Sequence, residues 1–148
     1  MPAKKTRFYR FPARPSRIGA YAERILCDLP RSLFEAELEL CLCEALSNAI
    51  VHGALRLPAH PTELEDLVAY LGRLEEAEAR LTDPPNVLVR VTAGCEAAEI
   101  TVLDPGEGFD WRPRLHADGR RGIGILERCT ADVRWNERGN CLWMRYER

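Results

Sequence analysis

Residues 7–12, RFYRFP, mix aromatic and basic positions over the length of a short strand with one solvated face. Pro15 and Ser16 mark a turn and a helix start. Ile18, Ala22, Ile25, Leu26 and Leu29 then recur at helical spacing until Pro30 closes the helix. Residues 33–53, LFEAELELCLCEALSNAIVHG, predict a second helix, and Ser32 with Glu35 offers a capping box at its head. Gly53 is placed to end it, helped by Pro58. Thr62 with Glu65 offers another capping box. Leu64, Leu67, Val68, Leu71, Leu74 and Leu81 then form a stripe on an otherwise acidic helix, expected to face the protein's own core. Pro84 and Pro85 stop it.

The pattern then changes to strands. Residues 86–92 and 99–103 flank a Gly94 turn as a hairpin, and residues 132–135 and 141–146 form a final pair. Between the pairs lie a glycine loop at 104–109, a polar stretch at 110–121 and a short helix from Gly122 to Thr130. Helices thus cluster before most strands. This order predicts a single α+β domain over residues 1–148, a two-layer sandwich with helices on one face of a mixed, mostly antiparallel sheet.

The 33–53 helix carries a polar stripe on an apolar body. Glu44, Asn48 and His52 recur every four residues and share a face, with Ser47 beside them. Leu38, Leu42, Ala45, Leu46, Ala49 and Ile50 need burial. An acid, an amide and an imidazole on such a helix are costly unless hydrogen-bonded or used.

Composition narrows the setting. At 148 residues the chain can bury a real core, and its net charge of −2 advertises no nucleic-acid surface. No apolar run approaches the ~20 residues of a membrane span, and residues 1–10 lack the apolar core of a signal peptide. A cytoplasmic location without membrane contact is the expectation. None of the six cysteines forms a C-x-x-C pair, so reduced thiols are expected and not a zinc site.

Two glycine-rich stretches suggest chemistry. In Asp104-Pro-Gly-Glu-Gly-Phe109 a carboxylate ends a hydrophobic strand, where it can accept from an exocyclic amine such as adenine's. Gly106 and Gly108 allow either close approach to a flat ligand or positive φ, and a plain tight turn has the same signature. In Arg121-Gly-Ile-Gly-Ile125, glycines at a helix start expose N–H groups to an anion, next to Arg120 and Arg121.

Together these stretches resemble the GHKL ATPases (gyrase, heat-shock chaperone, histidine kinase, mismatch repair), and within these the bacterial anti-sigma-factor serine/threonine kinases. EALSNAIVHG looks like the N box, DPGEGFD like the first glycine box and RRGIGIL like the second. The resemblance implies an ATP-binding regulatory kinase that uses Mg²⁺ to phosphorylate a partner-protein serine. Asn48 would be the metal ligand and Glu44 the general base. Asp104 would take the adenine amine, Gly106 and Gly108 would line the base, and residues 109–120, from Phe109, would form a lid. Arg121, Gly122, Ile123 and Gly124 would hold the phosphates. His52 would be structural. The implied partners are an anti-anti-sigma-type protein, a sigma factor and a second copy of the chain. The alternative is a nucleotide-dependent protein-binding switch without kinase activity.

This chain departs from the pattern in three places. Arg120-Arg121-Gly122 replaces Gly-Arg-Gly, Cys141 stands where threonine is common, and a helical insert occupies about 54–85.

Overall fold

The computed structural model describes residues 3–58, 64–112 and 123–148. Strand β1 (Lys5–Pro12) pairs with β2 (Asn86–Ala93), which pairs with β3 (Ala97–Leu103). β5 (Cys141–Glu147) lies between β3 and β4 (Asp132–Trp135), so the order is β1-β2-β3-β5-β4. Every pairing is antiparallel, and the parallel pairing that a mixed sheet implies is absent among the described residues.

Burial alternates along the strands. Val87, Val89 and Val91 of β2, Ala98, Ile100 and Val102 of β3, and Leu142, Met144 and Tyr146 of β5 point into one core. The helices cover that face. They are α1 (Ile18–Cys27), α2 (Ala36–Ser47), α3 (Leu64–Ala79) and α4 (Ile123–Cys129), and α2 packs against both α1 and α4. None of the described helices is long and apolar enough to cross a membrane.

The expected 33–53 helix is three pieces. A 3-10 turn spans Arg31–Leu33, α2 follows, and from Asn48 the chain widens into a π-helical turn, Asn48–Ala54. There the Leu55 N–H donates to the Ile50 carbonyl, an i→i+5 bond of 3.0 Å. The Ser32–Glu35 capping box does not form. The Ser32 hydroxyl donates to the Cys95 carbonyl at 2.5 Å, and Glu35 accepts from the Tyr146 hydroxyl. Tertiary partners more than sixty residues away have outbid the local motif. Gly53 does not end the helix either, because the π-turn continues through it to Ala54.

The insert supplies α3, while Thr62 of its expected capping box lies outside the described residues. Its apolar stripe divides. Tyr70 is buried, with Leu67 and Leu74 packed on the core, whereas Val68 and Leu71 face outward at 68% and 49% exposure. Glu78 ties the helix end to Ser16, accepting from its hydroxyl at 2.6 Å and its N–H at 3.2 Å. Tyr70→Ala should therefore destabilise the fold by about 3 kcal/mol in urea unfolding. Leu71→Ala should change it by less than about 0.5 kcal/mol.

Candidate functional site

The site is built where the π-turn meets the loop after β3. Asp104 follows the last residue of β3 and is buried, with only 9% of its surface exposed. Its Oδ1 accepts from the Gly106 N–H at 2.8 Å, and its Oδ2 takes no hydrogen bond from a described residue. Burial pushes its pKa above the ordinary carboxylate value, against the smaller opposing effects of the Gly106 N–H and the Arg138 charge.

Gly53 and Gly106 make this packing possible. A Cβ on Gly53 would lie 2.3 Å from Asp104 Cγ, and one on Gly106 would lie 2.3 Å from the Gly53 carbonyl oxygen. The end of the helical segment and the glycine loop thus meet backbone to backbone, with the carboxylate between them. The space freed by Gly106 is filled by protein. Gly108 takes the other route open to glycine, a φ of +84°, with the Arg138 carbonyl 1.8 Å from where its Cβ would be.

Opposite this loop stands the turn between β4 and β5. Gly139, also at positive φ (+82°), lies against the Phe109 backbone, so the two loops interlock through one glycine each. The Asp104 N–H donates to the Asn140 carbonyl at 3.0 Å, and Asn140 Nδ2 donates back to the Asp104 carbonyl at 3.3 Å. Arg138 Nε donates to the Glu107 carbonyl at 3.1 Å. Exposed Phe109 meets Trp135 edge-on at 6.3 Å, and Trp111 stacks on Trp135 at 5.9 Å.

On the helical side, Glu44 is half-buried on α2 and Asn48 opens the π-turn one helical turn later. Asn48 Nδ2 is buried with no hydrogen-bond partner among the described residues. A buried amide N–H in that state suits an acceptor, whereas a cation would take the oxygen of the same side chain. His52 Nδ1 donates to the Leu57 carbonyl at 2.8 Å, which braces the chain leaving the π-turn. Arg121 and Gly122 lie outside the described residues, as do lid residues 113–120. Ile123 and Gly124 are buried at the start of α4, which packs on the helix bearing Glu44.

The sequence profile of the histidine kinase-like ATPase domain matches residues 11–146. The chain belongs to this family. No curated protein matches it. Membership in the ATPase family carries ATP binding with it, and the site's residues fit that ligand. The buried carboxylate at the strand end leaves one oxygen for a donor, and the Asn48 Nδ2 donor, unpartnered among the described residues, lies on the π-turn whose Gly53 meets that carboxylate. No group of three or more His, Cys, Asp or Glu side chains among the described residues is placed to hold a metal. The Asn48 amide oxygen is the atom of that residue that would take a cation, with nucleotide oxygens and water completing its shell, as Mg²⁺ commonly allows.

Sequence reasoning placed Asp104, Gly106, Gly108 and Phe109 on one loop, and the structure brings that loop to Gly53, near the end of the π-turn that Asn48 opens. It missed Gly53 as a packing partner of Asp104, and Asn136 and Arg138 as supports. The N-x-x-G-N spacing of residues 136–140 was the available signal, since asparagine favours turn starts and glycine positive φ.

Two outcomes follow. Gly53→Ala should cost about 1–3 kcal/mol by overpacking and displace the Asp104 carboxylate, so the ATPase-family protein should also lose nucleotide affinity. Asp104→Asn should raise the stability of the nucleotide-free protein at neutral pH. The folded Asp104 pKa is raised, so its burial penalty is absent at acid pH, where folded and unfolded states both hold the proton. The penalty grows as pH rises from the unfolded carboxylate pKa to the folded one. Melting temperatures of the pair should therefore converge in acid and diverge toward neutrality.

Proposed function

We propose that this ATPase-family domain is an Mg-ATP-dependent protein serine/threonine kinase whose substrate is a serine on an anti-anti-sigma-type protein. A sigma factor is the second partner, and the working form is a homodimer. Supporting the nucleotide half is one observation above others: the carboxylate of Asp104, buried at the end of β3 with one oxygen that takes no hydrogen bond from a described residue, packs against Gly53 of the π-turn that Asn48 opens. Supporting the partner half is the resemblance carried by EALSNAIVHG, DPGEGFD and RRGIGIL.

Each residue has a task in this reading. Asn48 ligates Mg²⁺ through its amide oxygen. Asp104 accepts from the exocyclic amine of adenine, which favours the charged carboxylate that burial disfavours. Phe109 and the 106–108 backbone border the base. Arg121, Gly122, Ile123 and Gly124 present positive charge and N–H groups to the phosphates. Bound Mg-ATP supplies the phosphoryl donor. Glu44, half-buried beside Asn48, accepts the proton of the attacking serine hydroxyl.

Mg-ATP at a hundredfold excess over Kd should stabilise the parent by about 2.7 kcal/mol, read as a rise in melting temperature. Asn48→Ala should abolish that rise. Glu44→Ala should keep it but lose phosphate transfer to the partner serine. A parent that shows no rise contradicts nucleotide binding. One that binds ATP yet labels no serine of an anti-anti-sigma-type protein is the nucleotide-dependent switch and not a kinase.

A further inference from the structure

The turn between β4 and β5 has no role in the chemistry above, yet it grips both ends of the Asp104 loop. At one end it pairs with the Asp104 backbone in both directions, through the Asn140 carbonyl and Asn140 Nδ2. At the other, the Arg138 carbonyl fills the space beside Gly108, Gly139 lies on the Phe109 backbone and Arg138 Nε holds the Glu107 carbonyl. These contacts leave Asp104 little freedom to shift.

The turn itself is organised by one side chain. Asn136 Oδ1 accepts from the N–H groups of Gly139, Asn140 and Cys141 at 2.8, 3.0 and 3.1 Å. Its Nδ2 donates to Asn140 Oδ1 at 2.7 Å, which aims Asn140 Nδ2 at the Asp104 carbonyl. The Asn136 carbonyl accepts from Trp111 Nε1 at 3.0 Å, tying the turn to the chain just beyond Phe109. Of these six hydrogen bonds, four shape the turn itself and two cross to the segment 104–111, one at Asp104 and one at Trp111.

We propose that Asn136 and Asn140 are positioning residues for base selectivity, holding Asp104 where it can distinguish an exocyclic amine from a carbonyl. This rests on the reading of Asp104 as the acceptor for adenine. A buried acceptor discriminates only if it cannot retreat from a ligand that lacks the donor. Loosening the turn lets the carboxylate move toward solvent, and its burial supplies the driving force for that movement.

The test is competition of ATP and inosine triphosphate against a fluorescent adenine nucleotide. Inosine carries a carbonyl where adenine carries the amine. The parent should prefer ATP. Asn136→Ala and the milder Asn140→Ala should each lower the ATP-to-inosine-triphosphate affinity ratio about tenfold, through weaker ATP binding alone. Asn136→Asp keeps the acceptor for the three N–H groups but sets an oxygen against Asn140 Oδ1 where Nδ2 donates, so it should lower the ratio as Asn140→Ala does. Tyr9→Phe removes the 2.8 Å bond to Asp28 on the far side of the core, so it should lower stability and leave the ratio unchanged. Ratios at the parent value in folded Asn136→Ala or Asn140→Ala overturn the inference, as does an equal fall in affinity for both nucleotides. A parent without preference for ATP overturns the reading of Asp104 itself, and this inference with it.

Discussion

A carboxylate buried at the end of a β-strand is the constraint around which this protein is arranged. Asp104 gives up most of its hydration, and among the described residues its carboxylate receives one hydrogen bond, from Gly106, in return. Burial raises its pKa and so opposes folding at neutral pH. The surroundings hold it there by geometry. Gly53 and Gly106 leave no room on one side, and the β4–β5 turn pairs with its backbone on the other. A group kept in an unfavourable place by several independent elements suits binding, because a ligand can supply the missing donor.

The helical layer meets this requirement by changing its winding. α2 is an ordinary helix as far as Ser47, with Leu38, Leu42 and Leu46 in the core. From Asn48 it widens into a π-turn, the segment that brings Gly53 onto the Asp104 carboxylate. Such single wide turns are frequent at functional sites. The same segment leaves Asn48 Nδ2 buried without a partner among the described residues and sets His52 on the Leu57 carbonyl. One irregularity therefore separates a polar stripe into a buried amide and an imidazole that braces the chain.

Much of the fold was legible because burial has a period. The alternation in 86–92 and 99–103 and the helical spacing in 18–29 follow from which positions must leave water. The loop carrying Asp104, Gly106 and Gly108 was legible because glycines at a strand end mark either positive φ or a close backbone approach, and the structure uses both. Contacts between distant segments were not. Ser32 and Glu35 spell a capping box, yet Cys95 and Tyr146 take their side chains. Gly53 reads as a helix end because sequence spacing cannot reveal the carboxylate beside it. The α3 stripe implies one buried face, but Val68 and Leu71 turn outward while Tyr70 turns in.

Family membership carries ATP binding, and the buried Asp104 carboxylate has an oxygen left for a donor such as the adenine amine. The central claim is that Asp104 is held in an unfavourable state until an adenine amine donates to it. Carbon-13 NMR titration of the Asp104 carboxyl, with and without ATP, tests this directly. The account predicts a pKa above the ordinary aspartate value in the free protein and a clear fall when ATP is bound. An ordinary pKa in the free protein, or one that ATP leaves unmoved, would contradict it.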